Sequence, residues 1–196
     1  GDAGSGPSLA GTLRDITKRK EAEIAAARAA YLHERLRKLA KTMDDAPTLA
    51  AGLEAALQTA LELCGCDTGA VYVLQDGRPA LQTRRNLPYA VAKSLEKLPV
   101  DDEETQTAFG GGRPVTLGAL SWDFLGMREL RDYQGAHIAP CLGGNDIVGY
   151  MVLASVNTRE FGEALESEAA VALETGAFIA RRAFIETAER REEQYR

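Results

Sequence analysis

The sequence predicts an α+β fold in which a largely antiparallel sheet lies between two long helices. Residues 15–43 and 161–196 contain no proline and are rich in alanine, leucine, glutamate and arginine, which are strong helix formers. The intervening residues contain short apolar segments bounded by turn residues, a pattern typical of strands. Tight turns join several of these segments into pairs, and strands joined in this way are antiparallel.

The composition is that of one soluble domain with extended elements attached. The chain has 196 residues, 45% of them hydrophobic, and a formal net charge of −6. This acidic balance argues against a nucleic-acid partner. Apolar runs stay far below the ~18 residues that cross a bilayer, so we expect no membrane contact by this segment. Three cysteines without a framework spacing, Cys64, Cys66 and Cys141, are typical of the reducing cytoplasm.

The first long helix carries an apolar seam on a heptad repeat. Such spacing keeps one helix face turned toward a single partner, as in coiled coils. Two interpretations remain: a parallel homodimer through this seam, or packing of its second half, residues 32–43, on the domain that follows. The seam consists of Ala22, Ala25, Ala29, Leu32, Leu36, Leu39 and Met43.

The last helix carries a second heptad seam, built mainly from small residues. Small residues permit close approach, and we expect them to let neighbouring helices slide between two registers; alternatively, Gly176 simply makes room for the sheet or for the first helix. The seam consists of Leu165, Ala169, Ala172, Gly176, Ile179 and Ala183.

Turn residues separate the elements between these helices. Pro47 marks the start of a helix and Gly65 its end. The Asp76-Gly77 pair predicts a two-residue hairpin turn. In chain order the predicted elements are helix 47–64, strands 69–74 and 80–85, helices 88–98 and 103–109, strand 114–117, and strands 136–142 and 147–155.

Residues 11–23 resemble the end of a PAS domain. The family motif Asp-Ile-Thr-x-Arg-Lys-x-Ala-Glu, which leads from its last strand into a signalling helix, matches Asp15 to Glu23. The resemblance implies that residues 1–17 end a truncated PAS domain and that residues 18–43 form a coiled-coil signalling helix.

Residues 32–185 resemble a GAF domain. The resemblance implies a GAF sensory domain over residues 44–185, with a central antiparallel sheet and helices on both sides, and an output linker helix over residues 186–196. The similar segments are residues 61–72, residues 86–99 and 112–115, and the hairpin in which Ala139-Pro140-Cys141-Leu142 precedes residues 147–153.

The GAF resemblance implies a non-catalytic regulatory module of a larger signalling protein. The parent is expected to be a sensor histidine kinase or a nucleotide cyclase or phosphodiesterase, such as a cyclic-di-GMP enzyme. The module would bind a small ligand or sense redox state and relay it through dimeric helices. The alternative is a ligand-free structural dimerisation and relay domain.

The resemblance leaves the cofactor unknown. Cyclic-nucleotide-binding members carry an Asn-Lys…Phe…Asp-Glu signature, but Thr158 replaces the lysine and Leu165-Glu166 replaces the acidic pair. Bilin-binding members usually hold a Cys-His pair, whereas Leu142 follows Cys141.

Few residues are suited to catalysis. With two histidines in the chain and no Lys-Ser after Gly110-Gly111-Gly112, neither a catalytic triad nor a phosphate loop is expected, and no metal site.

His137 and Cys141 share one strand face, so they contact a ligand if that face lines a cavity; otherwise they are a core histidine and a buried thiol. The aromatic residues before them either line a pocket or fill the domain's own core. The candidate ligand-binding residues are Phe109, Trp122, Phe124, Tyr133, His137 and Cys141, and the candidate dimer residues are Leu32, Leu36, Leu39, Met43, Ala172, Gly176, Ile179 and Ala183.

Overall fold

A computed structural model describes residues 9–97, 114–118, 135–155 and 164–194. The chain divides into a unit that ends at Arg35 and a larger unit that begins at Leu36. Helix α1 (Leu9–Asp44) contributes residues to both. The unit that begins at Leu36 contains the sheet and the remaining helices.

Helix α1 begins earlier than the sequence predicted. Residues 9–17 are helical, where the PAS resemblance led us to expect the end of a strand. A strand needs a neighbour for its backbone N–H and C=O groups, and no strand among the described residues pairs with this segment. A helix satisfies these groups within itself. Residues 1–8 lie outside the described part of the chain.

Helix α2 (Leu49–Cys64) has the caps that its flanking residues predict. The hydroxyl of Thr48 accepts a hydrogen bond from the N–H of Ala51 at 3.2 Å. At the other end, Gly65 has φ 64° and its N–H donates to the Leu61 carbonyl. Glycine adopts this left-handed conformation without the cost that a side chain brings.

Replacing Thr48 by alanine is expected to lower the free energy of unfolding by about 1 kcal/mol, because the N–H of Ala51 loses its acceptor. Urea denaturation measures the change. Thr42→Ala is the matched control: its hydroxyl only donates to the carbonyl of Lys38, within an exposed part of α1. Equal losses in the two variants would show that the cap contributes nothing specific.

The sheet has five strands in the order β2-β1-β5-β4-β3, and every neighbouring pair is antiparallel. Asp76 and Gly77 both have positive φ, 52° and 75°, in the β1–β2 turn, as a type I′ hairpin requires. The antiparallel α+β prediction is therefore confirmed. The strands are β1 (Thr68–Gln75), β2 (Arg78–Arg85), β3 (Val115–Gly118), β4 (Gly135–Gly143) and β5 (Asp146–Ser155).

Helices cover both faces of this sheet. The C-terminal end of α1, helix α2 and helix α4 (Ala164–Gln194) share one hydrophobic core with the first face. Helix α3 (Tyr89–Ser94) and the 3₁₀ turn Leu95–Lys97 cover the other face. Neighbouring residues of a strand therefore belong to different cores, as the two-residue period of a strand requires.

Strand β2 forms one edge of the sheet. The backbone N–H of Leu81 donates to the Glu96 carboxylate at 2.8 Å. Glu96 also accepts from Lys93 at 2.7 Å. The 3₁₀ turn that carries Glu96 thus supplies the acceptor that a further strand would otherwise provide.

Five of the eight candidate dimer residues are buried in the core of their own chain, which corrects the expectation that these five form a dimer interface, whereas the first seam residues of α1, Ala22, Ala25 and Ala29, are exposed. Leu39 and Met43 are 3% and 0% exposed, and Leu36 packs against the same core. Ala172 and Ile179 are also buried there. These residues share one core with α2 and the sheet, because a helix packed on a domain buries its own apolar stripe. Leu32 is half-buried and Ala183 is exposed.

Gly176 lies where α4 crosses β4. A Cβ atom at this position would overlap the backbone N and O atoms of Leu142. The glycine makes room for the sheet, and this close contact replaces the expected sliding surface.

Candidate functional site

The side of the sheet that α3 covers is mostly apolar, with two tyrosines at its centre. Tyr72 and Tyr150 are paired across β1 and β5 and are 1% and 2% exposed. The Tyr72 hydroxyl donates to the Ala92 carbonyl of α3 at 2.8 Å, and burial raises the pKa of Tyr72 above its ordinary value. Ile138 and Leu95 complete the centre of this surface.

The opposite side of the same strands holds a polar cluster inside the core. The Nδ1 atom of His137 on β4 lies 3.7 Å from Oε2 of Glu168 on α4, and each residue is 1% exposed. The Thr116 hydroxyl of β3 lies 3.4 Å from the same Nδ1 atom. The pair joins the sheet to the first turns of α4.

Burial moves the pKa values of this pair in opposite directions. Desolvation raises the pKa of Glu168 from 4.5 to about 8 and lowers the pKa of His137 from 6.5 to about 4. Each shift favours the neutral form, because the interior solvates charge poorly. Near neutral pH the pair therefore consists of a carboxylic acid and a neutral imidazole.

Two buried thiols lie near this pair. Cys141 of β4 is fully buried, and Cys64 of α2 donates to the Ala164 carbonyl at 3.4 Å. Burial raises the pKa of both thiols, and the charge of Glu168 adds to the effect. Since the thiolate is the reactive form, these two cysteines are poor nucleophiles near neutral pH.

The structure brings together only part of the predicted ligand site. His137 and Cys141 are 1% and 0% exposed and lie on the face of the sheet that α2 and α4 cover. Their contact with a ligand stays a prediction. The remaining candidates lie outside the described residues: Phe109, Trp122, Phe124 and Tyr133.

Sequence reasoning missed Glu168, although a signal was present. Leu165, Glu168, Ala172, Thr175 and Ile179 follow a 3, 4, 3, 4 spacing, so a carboxylate stands on a stripe whose other members are uncharged. A charged residue in that position is a candidate for burial with a partner.

Among the described residues, no group of three or more histidine, cysteine, aspartate or glutamate side chains is arranged to hold a metal ion. In that same part of the chain, every helix is too short or too polar to span a membrane.

Similar proteins are found by comparison with solved structures. No protein-family model matches the sequence, and no curated protein matches it. Among solved structures, the GAF domain of a protein assigned as a sensor histidine kinase from Pseudomonas syringae pv. tomato superposes with a TM-score of 0.62. That match has 20% sequence identity and covers 89% of this chain and 99% of the other. The chain has the GAF fold.

Other structures with the GAF fold come from proteins of different kinds. The GAF domain of an Acinetobacter phosphoenolpyruvate-protein phosphotransferase has a TM-score of 0.61 and 16% identity, covering 80% of this chain and 98% of its own. The phycoerythrobilin-bound GAF domain of a cyanobacterial phytochrome has a TM-score of 0.62 and 12% identity, covering 79% and 97%. The shared feature is the GAF fold, since identities this low carry no chemistry across.

Proposed function

We propose that this chain is a non-catalytic regulatory sensor module of a larger signalling protein, and that it passes a signal from the α3 side of its sheet to helix α4. The GAF fold supports this proposal, because similar structures include domains of a sensor histidine kinase and of a phosphotransferase. The parent would be a sensor histidine kinase or a nucleotide cyclase or phosphodiesterase.

The observation that carries the proposal is that α3 and α4 share hydrophobic cores with opposite faces of one sheet. On β4, Ile138 belongs to the α3-side core, while its neighbour Ala139 belongs to the core under α4. On β5, Tyr150 belongs to the α3-side core, while its neighbour Met151 belongs to the core under α4. Because protein interiors are tightly packed, a ligand that moves the first set of residues also moves the second.

The ligand would be a small, flat and largely apolar molecule bound on the α3 side. Two of the similar structures hold bilins: a GAF domain with phycoerythrobilin and another protein with biliverdin. The alternative is a ligand-free relay, and it has support of its own. The centre of the α3-side surface is well packed, and Tyr72 already bonds to Ala92.

Biliverdin serves as the probe for ligand binding. Its titration into the ¹⁵N-labelled chain is expected to shift the amide signals of Ile138, Tyr150 and Val152, with smaller changes spreading to α4. The signals of the exposed end of α4, residues 186–194, are the internal control. No shift on the α3 side at probe concentrations up to about 1 mM, where even a binding free energy of about −4 kcal/mol would register, favours the ligand-free relay.

The chain would act as a parallel homodimer, through a different face of α4 from the buried seam. Leu173 and Phe184 are 56% and 76% exposed. Together with the half-buried Ala177 they form a stripe on the side of α4 that lies away from Gly176, with spacings of 4 and 7 residues. Two copies paired along this stripe would extend their α4 helices side by side toward an output domain.

The double variant Leu173→Glu/Phe184→Glu is expected to weaken dimerisation at least about tenfold, since each change places a charge in the shared stripe. Sedimentation velocity over a concentration series measures the shift. Ile185→Glu is the matched control, because it adds the same charge at a 48% exposed apolar residue on another face of α4. A double variant that sediments like the unmodified chain would exclude this stripe as the interface.

A further inference from the structure

The polar pair between β4 and α4 contains a buried carboxyl group that can gain or lose a proton. Glu168 is 1% exposed, and its Oε1 atom has no hydrogen-bond partner among the described residues. Among those residues, the titratable groups that face it are His137 and Cys141 from β4 and Cys64 from α2. The hydroxyl of Thr116 on β3 completes the surroundings through His137. None of these groups carries a permanent positive charge.

A carboxyl group in such surroundings is more stable protonated than ionised. Burying an ionised carboxyl group without a cation is strongly unfavourable, whereas a buried carboxylic acid beside an imidazole is tolerated. The packing of helix α4 on β4 at this point is therefore more stable while the proton is present than after it is lost.

We propose that the His137–Glu168 pair makes the docking of α4 on the sheet depend on pH, so that loss of the Glu168 proton releases the helix around this residue. The contact is well placed for regulation, because Glu168 lies one turn after Ala164, where α4 begins and where the Cys64 thiol donates. The signalling meaning rests on the proposed function, in which α4 carries the output; protonation and release are properties of this chain alone.

The two members of the pair respond to pH in opposite senses. Glu168 has its pKa raised from 4.5 to about 8, so its contribution to docking is complete below pH 4.5 and is lost as pH rises to 8. His137 has its pKa lowered from 6.5 to about 4, so its contribution is complete above pH 6.5 and is lost as pH falls toward 4.

The two responses together make the stability of docking flat from pH 4.5 to 6.5 and steeply dependent on pH above that range. Between pH 4.5 and 6.5 the opposing changes cancel, and docking is nearly independent of pH. Between pH 6.5 and 8 only Glu168 changes, and the docked state weakens about tenfold per pH unit. The cysteines do not enter, because burial raises the pKa of Cys64 and Cys141 further above this range.

Hydrogen exchange of the full chain tests the proposal, with rates corrected for the intrinsic effect of pH on exchange. The protection of amides in residues 168–176 is expected to be constant from pH 5 to 6.5 and to fall about thirtyfold from pH 6.5 to 8. In Glu168→Gln, which keeps the shape of the protonated acid, protection should stay constant above pH 6.5. Glu166→Gln is the matched control, an exposed carboxyl group two residues earlier, and should behave like the unmodified chain.

A titration by ¹³C NMR of the Glu168 carboxyl carbon adds a readout that needs no variant, and its midpoint is expected near pH 8. Protection that does not change with pH in the unmodified chain, or a fall that persists in Glu168→Gln, would overturn the proposal. So would a carboxyl midpoint near the ordinary 4.5. Neither measurement involves a ligand or a dimer, so failure of the sensor proposal would leave this result unaffected.

Discussion

Replacing Gly176 by leucine is expected to prevent the domain from folding stably, and Gly176→Ala is expected to lower the free energy of unfolding by about 3 kcal/mol. Alanine gains about 1 kcal/mol over glycine in a helix. That gain is outweighed here, because the added Cβ overlaps the backbone of Leu142 and cannot be relieved by a side-chain rotation. Chemical denaturation followed by circular dichroism measures both variants.

The matched control for Gly176 is Ala183→Leu, an exposed position seven residues later on the same helix. It is expected to change stability by no more than about 0.5 kcal/mol. A Gly176→Leu protein as stable as the unmodified chain would contradict the packing role and would revive the sliding of α4 against its neighbours.

Met43→Ala is expected to lower the free energy of unfolding by about 3 kcal/mol, because it removes a fully buried side chain and leaves a cavity. Met43 lies in the core that α2, α4 and the sheet share, so the loss should be the same at every protein concentration. Thermal unfolding at several concentrations measures it.

The control for Met43 is Ile24→Ala on the same helix, where the side chain is 66% exposed. This change is expected to cost less than about 0.5 kcal/mol. If the cost of Met43→Ala instead grew as the protein was diluted, Met43 would belong to an interface between copies and not to the core.

Local signals in the sequence were sufficient for most of the fold. Asp76 and Gly77 predicted a turn with two positive φ angles, and Gly65 predicted the end of α2, because each residue is suited to one backbone conformation. The final hairpin followed from two apolar segments joined by Gly144 and its neighbours. None of these inferences depends on distant contacts.

Local sequence signals do not show which surface each apolar seam packs against. The spacing of Leu36, Leu39 and Met43 shows that one face of α1 is buried, and it is the same whether the partner is a second chain or the domain's own core. Gly176 posed the same difficulty, since only the path of β4 shows what lies against it. Glu168 was overlooked because its partner, His137, is far away in sequence.

The bond from the Leu81 N–H to Glu96 has a consequence for how the protein behaves when it is concentrated. An exposed strand edge can recruit the edge of another molecule and start a growing intermolecular sheet. On β2, Glu96 occupies a donor that such growth would use, and the charged side chains of Arg78 and Arg85 lie at either end of the same strand. The resistance of this domain to aggregation is therefore expected to depend on the short 3₁₀ turn that holds Glu96 against β2.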